Sequence, residues 1–251
     1  MTPSSDAVAV VTGGGRGIGR AVSLLAARRG YRVCLSYVSD AGAAKAVVAA
    51  IEAEGGRAVA VRGDVADEGD VVALFEAADR LGTVTALVNN AGVVDVAARV
   101  DAMGAARLHR MFSTNVVGSL LCAREAVRRM STTHGGRGGA IVNLSSVAAK
   151  LGGAGQYVDY AASKGAIDSF TVGLAREVAD EGIRVNAVAP GVIDTEIHAS
   201  GGQPGRAAAM GPFVPMKRAG TAEEIAGPIL WLLSDEAAYT TGAILDVSGG
   251  R

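Results

Sequence analysis

Two side chains near the middle of the chain have types and spacing that could do chemistry. Tyr160 and Lys164 are four residues apart. On a helix that spacing stacks them on one face, about 6 Å apart along the axis. A phenol loses its proton at about pH 10, too high for acid–base work at neutral pH. A nearby ammonium favours the phenolate and lowers that value. The pair is a candidate general acid/base with its tuner, although an isolated Tyr-x-x-x-Lys is usually an ordinary surface pair. Its meaning depends on a second feature upstream, Thr12-Gly13-Gly14-Gly15-Arg16-Gly17-Ile18-Gly19. A glycine turn between a first strand and a first helix directs free backbone N–H groups and the helix dipole at a pyrophosphate. The spacing is T-G-x-x-x-G-x-G, carried by Gly13, Gly17 and Gly19. The commoner G-x-G-x-x-G fails because its third glycine would fall on Ile18. A plain strand–helix turn is the alternative for this motif alone.

The elements that must position these residues alternate regularly. Strands are expected at Ala7–Val11, Tyr31–Tyr37, Ala58–Arg62, Ala86–Val88, Ala140–Leu144, Arg184–Val188 and Ala243–Val247. Helices are expected at Ile18–Arg29, Ala41–Glu54, Asp67–Leu81, Ala105–Met130 and Tyr157–Ala179. Alternation of this kind predicts an α/β fold. It has one Rossmann-like, doubly wound parallel sheet of about seven strands, with helices on both faces. No linker or repeat divides the chain, so residues 1–251 are expected to form one domain. The long irregular region 191–220 is rich in Gly and Pro, and segments of this length are usually lids, binding segments or disordered, with a substrate-binding lid expected here.

Composition removes several function classes. With 49% hydrophobic and 20% charged residues the chain suits a globular protein with a large core. A formal net charge of −1 gives no basic excess for nucleic acid or an anionic membrane surface. The apolar run 7–11 is too short for a signal h-region or a membrane span, and no basic n-region precedes it. A soluble, cytoplasmic protein is expected. Cys34 and Cys122 read as buried free thiols, and His109, His134 and His198 lack metal-ligand spacing. No metal site is expected.

Taken in order, the motifs resemble those of the short-chain dehydrogenase/reductase family across nearly the whole chain. After the glycine turn come Asp64-Val65, Asn89-Asn90-Ala91-Gly92, Asn115, Ser146, Tyr160 with Lys164, and Pro190-Gly191 with Thr195 beyond. Each is weak singly, and the joint order is specific. The resemblance implies hydride transfer between a nicotinamide and a carbonyl or alcohol carbon. It makes Tyr160 the general acid for reduction and the base for oxidation. It assigns Lys164 to the Tyr160 pKa and the nicotinamide ribose, Ser146 to the substrate oxygen, and Asn115 to a water in a proton relay. It also implies a cofactor site formed by Gly13, Arg16, Gly17, Ile18, Gly19, Ser36, Tyr37, Asp64, Val65, Asn90, Ala91, Gly92, Tyr160, Lys164, Pro190, Gly191, Ile193 and Thr195. Ser145 and Ser146 would face opposite ways at a strand end. Ser146 is favoured because the family's serine is usually the second of such a pair. Ser146 and Tyr160 are 14 positions apart, one more than the family suggests, which implies a small insertion between Lys150 and Tyr157. Tyr157 has Ala161 rather than a lysine four residues on, and reads as a pocket residue.

Cofactor choice turns on the end of the second strand, where an acidic residue would bind the ribose 2′-hydroxyl of NAD. Ser36 and Tyr37 stand there, and Arg16 sits in the glycine turn. An arginine with hydroxyls suits a 2′-phosphate, so NADP(H) is expected over NAD(H). Asp40 reads as the N-cap of the next helix, with NAD the alternative if it faces the ribose. The substrate pocket is expected to include Val93, Val94, Ala148, Gln156, Tyr157 and the segment 191–220. The substrate is expected to be a free small carbonyl or alcohol. The rivals are a 3-oxoacyl-[acyl-carrier-protein] reductase, a sugar dehydrogenase and, from another class, a non-catalytic dinucleotide-binding regulator. Like charge at Asp180 and Glu181 argues against an acidic carrier protein, whereas Arg128 and Arg129 would favour one. A homotetramer is expected, because the helix after Tyr157 is apolar or small nearly all round.

Overall fold

The computed structural model describes residues 3–251. Seven strands form one parallel sheet in the order β3-β2-β1-β4-β5-β6-β7. They are β1 (Ala7–Val11), β2 (Arg32–Tyr37), β3 (Ala58–Arg62), β4 (Thr83–Asn89), β5 (Gly139–Leu144), β6 (Ile183–Pro190) and β7 (Ile244–Val247). The helices are α1 (Gly17–Arg28), α2 (Ala41–Ala53), α3 (Glu68–Leu81), α4 (Ala105–Phe112), α5 (Gly118–Met130), α6 (Ala148–Leu151), α7 (Val158–Glu177), α8 (Ile197–Ser200), α9 (Arg206–Met210) and α10 (Ala222–Leu233).

The central strands are continuous apolar runs because both their faces are covered. Every residue of β1 is buried. Strand side chains alternate between faces. Ala9 and Val11 join Val22, Leu35 and Ile229 in one core, built with α1, α2 and α10. Val8 and Val10 join Phe75, Leu87 and Met130 in a second, built with α3, α5 and α7. Phe75 is fully buried, and truncating it to Ala costs about 3–5 kcal/mol. Cys34 and Cys122 are free thiols in the second core, each pushed up to about 12 by burial.

Strand order reverses between β1 and β4. Neighbouring loops part at such a point and leave a crevice at the carboxyl ends of the strands. The glycine turn after β1 and the Asn89–Gly92 segment after β4 flank this crevice.

Four features differ from the sequence expectation. The long helix over 105–130 is interrupted by a π-helical turn, Ser113–Val117. β4 is longer than the apolar triplet Ala86–Val88, because Thr83 also pairs with β1. Helix α10 was not anticipated; Pro228 lies inside it, and a Thr221–Glu224 capping box starts it. The region 191–220 contains α8, α9 and a short 3₁₀ turn, Gly211–Phe213, around the apolar contacts of Val192, Ala207 and Val214. Asp40 does cap α2, its carboxylate accepting the Ala43 N–H at 2.8 Å.

Candidate active site

The crevice is built first by backbone. Gly13 and Gly17 have φ of +62° and +50°, a region that favours glycine. Gly19 has no room for a side chain: a Cβ there would lie 2.2 Å from the Gly13 carbonyl oxygen. The turn is locked to the β4 loop across the crevice. Thr12 Oγ1 accepts the Asn90 and Ala91 N–H groups at 3.0 and 2.9 Å. Asn90 Nδ2 donates back to the Thr12 and Gly13 carbonyls at 2.8 and 3.1 Å.

Ser36 lines the groove beside Tyr37 and also supports the glycine turn. It is buried, and its hydroxyl accepts the Gly13 N–H at 3.1 Å. A buried backbone N–H needs a partner, and Ser36 supplies it. Tyr37, Arg16, Asp64 and Val65 line the groove of about 360 Å³ that runs along this turn, as do Gly13, Gly17, Ile18, Asn90, Ala91 and Gly92. Arg16 is exposed and, among the described residues, makes no ion pair. Arg110 and Thr114, from α4 and the π turn, also line it. Sequence reasoning missed both, because the break in the helix that presents them leaves no mark in its composition.

The groove continues into a cavity of about 480 Å³ through Ile18, Asn90, Gly92 and Thr195, which border both. Pro190, Gly191 and Ile193 line this second part, so the cofactor residues expected from the resemblance divide between the two spaces, except Gly19, which borders neither. Val93 borders only the groove. Val94, Ala148, Gln156 and Tyr157 line the cavity as expected.

Tyr160, Lys164 and Ser146 meet at the cavity wall. The first two face one way because α7 carries them one turn apart. The start of α7 is pinned by Asp159, whose buried carboxylate takes the Arg107 guanidinium of α4 at 2.7 Å. Lys164 Nζ sits 5.6 Å from the centre of the Tyr160 ring and donates to the Leu144 carbonyl at 2.6 Å. Burial pushes the Lys164 ammonium down to about 8, against the opposing pull of the Asp168 carboxylate. Burial also pushes the Tyr160 phenol up, while its hydrogen bond with Ser146 acts the other way. The net direction at Tyr160 is therefore opposite to that expected from Lys164 alone: desolvation of the phenolate outweighs the Ser146 hydrogen bond.

The two serines separate as strand geometry requires. Ser145 is buried, its hydroxyl donating to the Lys164 carbonyl at 3.4 Å. Ser146 faces the cavity and its hydroxyl accepts the Ala148 N–H at 3.1 Å. The segment between Lys150 and Tyr157 is the end of α6 and a turn with positive φ at Gly152, Gly153 and Gly155. Asn115 lies behind the cavity, buried in the π turn. Its amide holds Val93 through both backbone groups, at 2.8 and 3.0 Å, and donates to Ser163 Oγ at 3.1 Å. π turns of this sort recur at functional sites. The result is two hydroxyls side by side, backed by a lysine, where a nucleotide groove opens into a mostly apolar cavity.

A glycine turn at the switch point of a parallel sheet, leading to a Tyr–Lys–Ser cluster, defines a dinucleotide-binding oxidoreductase. Comparison with known proteins gives the family. A family model described as enoyl-(acyl carrier protein) reductase matches residues 13–251. The chain is 54% identical over 246 residues to an uncharacterized oxidoreductase, YgfF, of Escherichia coli (strain K12), covering 98% of this chain and 100% of that protein. It is 38% identical over 252 residues to the 3-oxoacyl-[acyl-carrier-protein] reductase of a Synechocystis strain, covering 100% and 98%. A short-chain dehydrogenase from Burkholderia cenocepacia J2315, solved in complex with NADP, superposes with a TM-score of 0.88 at 33% identity, covering 96% of each chain. The chain belongs to the short-chain dehydrogenase/reductase family and is an oxidoreductase.

Proposed function

We propose that the protein is an NADP(H)-dependent carbonyl reductase, also able to oxidise the corresponding secondary alcohol. The observation that carries this reading is the Ser146–Tyr160–Lys164 cluster at the junction of groove and cavity. The groove fits a dinucleotide: the N-terminus of α1 beside it has no side-chain cap, and the absence of a side chain at Gly19 lets the turn close on Asn90. When bound, the nicotinamide supplies or accepts the hydride. The chain's own residues handle the proton and the charge. Tyr160, held protonated by burial, donates to the substrate oxygen during reduction. Ser146 donates a second hydrogen bond to that oxygen, where negative charge develops. Lys164 holds positive charge behind the phenol and binds the nicotinamide ribose. Asn115 keeps the Val93 backbone against the groove and helps order the proton relay.

NADP(H) preference rests on Arg16 and Tyr37 at the groove and on the engagement of Asp40 as a helix cap. A hydrogen bond to a charged group contributes roughly 1.5–3 kcal/mol, or about 10- to 100-fold in affinity. NADPH should therefore bind about that much more tightly than NADH, and Arg16→Ala should erase most of the difference. Equal dissociation constants in the wild type would instead assign the ribose to Asp40.

The segment 191–220 acts as the substrate lid, since Thr195, Ile197, His198 and Arg206 all border the cavity. A free small-molecule substrate is favoured over a carrier-borne one. Arg128 and Arg129 are engaged by Glu125 and Asp79, which removes the basic patch an acidic carrier would need. A carrier-borne acetoacetyl group reduced far faster than a short thioester mimic would reverse this choice. A cytoplasmic homotetramer is the assembly proposed. Ala162 is exposed and Gly165 has nothing opposite it, so α7 offers an open small-residue face beside exposed Val117 and Leu120 near α5. A monomer mass by light scattering would overturn that.

A further inference from the structure

The charge of the cavity points to a class of substrate. Among the described residues its lining includes Lys164, Arg206 and Arg251 and no Asp or Glu side chain. Lys164 is held by the Leu144 carbonyl and the Tyr160 ring. Arg206 is different. Among the described residues it makes no ion pair, whereas Arg28, Arg107, Arg124, Arg129 and Arg218 each hold a carboxylate. Its guanidinium is oriented by neutral groups. Nη1 donates to Gln203 Oε1 at 2.7 Å and Nη2 to Gln156 Oε1 at 3.2 Å. The guanidinium carbon lies 5.1 Å from the centre of the Tyr157 ring.

A half-buried cation with only neutral partners keeps its charge unneutralised and retains N–H donors for another group. The planar fork of a guanidinium matches a carboxylate, and stacking on Tyr157 holds that plane in place. His198, the histidine at the cavity, does not compete. Burial and the Arg206 charge both push it below its ordinary value, and Nε2 meets the Ile193 carbonyl at 2.9 Å. The remaining walls, including Val94, Leu151, Val192 and Ile197, suit a hydrocarbon body.

We propose that Arg206 binds a substrate carboxylate, and that the substrate pair is an oxo acid and its hydroxy acid. The inference rests on the reductase reading of the Tyr160 site. Tyr157 is the N-cap of α7, three residues before Tyr160, and the Arg206 guanidinium lies over the Tyr157 ring rather than the Tyr160 ring. The proposal places the carboxylate several bonds from the reacting carbon, which disfavours 2-oxo acids. In reduction the carbonyl carbon gains hydride from NADPH and its oxygen gains a proton through Tyr160. The carboxylate forms no covalent bond.

The test compares 5-oxohexanoate, its methyl ester and pyruvate as substrates of the full chain with NADPH. The free acid should exceed both the ester and pyruvate in kcat/KM by about 10- to 100-fold, mostly through KM, as expected for a charged hydrogen-bonded pair. Arg206→Met should bring the acid-to-ester ratio close to one, Arg206→Lys should keep part of it, and Arg206→Glu should favour the ester. NADPH binding by each variant checks that it has folded. Equal use of acid and ester by the wild type, or an acid preference that survives in a folded Arg206→Met protein, would overturn the inference and leave the reductase reading standing. A preference for pyruvate would overturn the placement of the carboxylate. No NADPH-dependent turnover of any of the three would overturn both readings.

Discussion

Replacing Lys164 with methionine should make the protein respond to alkaline pH differently from the wild type. Burial moves the Lys164 ammonium from 10.5 down to about 8. In the unfolded chain it keeps its proton up to about pH 10.5, so the unfolded state binds more protons between the two values. Stability must therefore rise with pH across that window. The full cost of holding the charged form in the fold is about 3 kcal/mol below the folded value, since one pKa step corresponds to 1.36 kcal/mol. From about pH 7 to about pH 9.5, the wild type should recover about 2 kcal/mol of this cost. Stopping near pH 9.5 avoids ionising the tyrosines, whose unfolded value is about 10. Urea unfolding of both proteins without cofactor gives the comparison. The wild-type-minus-Lys164→Met stability difference should climb by about 2 kcal/mol over that range, whatever the constant offset from the lost hydrogen bond to Leu144. A flat or falling difference would refute the claim that burial controls this lysine.

Two substitutions test the crevice itself. Thr12→Ala removes the acceptor of the Asn90 and Ala91 N–H groups, and should cost about 1–3 kcal/mol in urea unfolding, with Thr12→Ser recovering most of it. Gly19→Ala would place a Cβ 2.2 Å from the Gly13 oxygen and 2.5 Å from Asn90 Nδ2, so the turn must shift and NADPH affinity should fall at least about tenfold by titration. The matched control is Gly227→Ala in α10, where nothing lies within 4 Å; it should stabilise by up to about 1 kcal/mol and leave that affinity alone.

The sequence was most informative where local physics and ordering agreed. Continuous apolar runs such as Ala7–Val11 show both-sided burial directly, and strand–helix alternation implies the parallel sheet. Gly13 and Gly17 could be read because glycine is the residue type that tight turns with positive φ favour. Asp40 could be read as a cap because short carboxylates before helices accept backbone N–H groups. Ser36 lines the groove, and a second duty is not legible in sequence: only the fold directs its hydroxyl to the Gly13 N–H. The π turn at Ser113–Val117 has no compositional mark, so Arg110 and Thr114 went unnoticed. Helix α10 was hidden by Pro228 and Gly227 within its run. Arg206 lay in a segment without periodicity, and its role depends on Gln156, Gln203 and Tyr157 from elsewhere in the chain.

The central claim is that Tyr160 transfers the proton and Tyr157 does not. Single-turnover reduction of a ketone by NADPH, measured for Tyr160→Phe and Tyr157→Phe beside the wild type, tests it most directly. Tyr160→Phe should slow the chemical step by about 10²-fold or more while the NADPH dissociation constant stays near the wild-type value. Tyr157→Phe should retain the fast step. A near-normal step in Tyr160→Phe together with its loss in Tyr157→Phe would contradict the assignment and move the acid one turn along the chain.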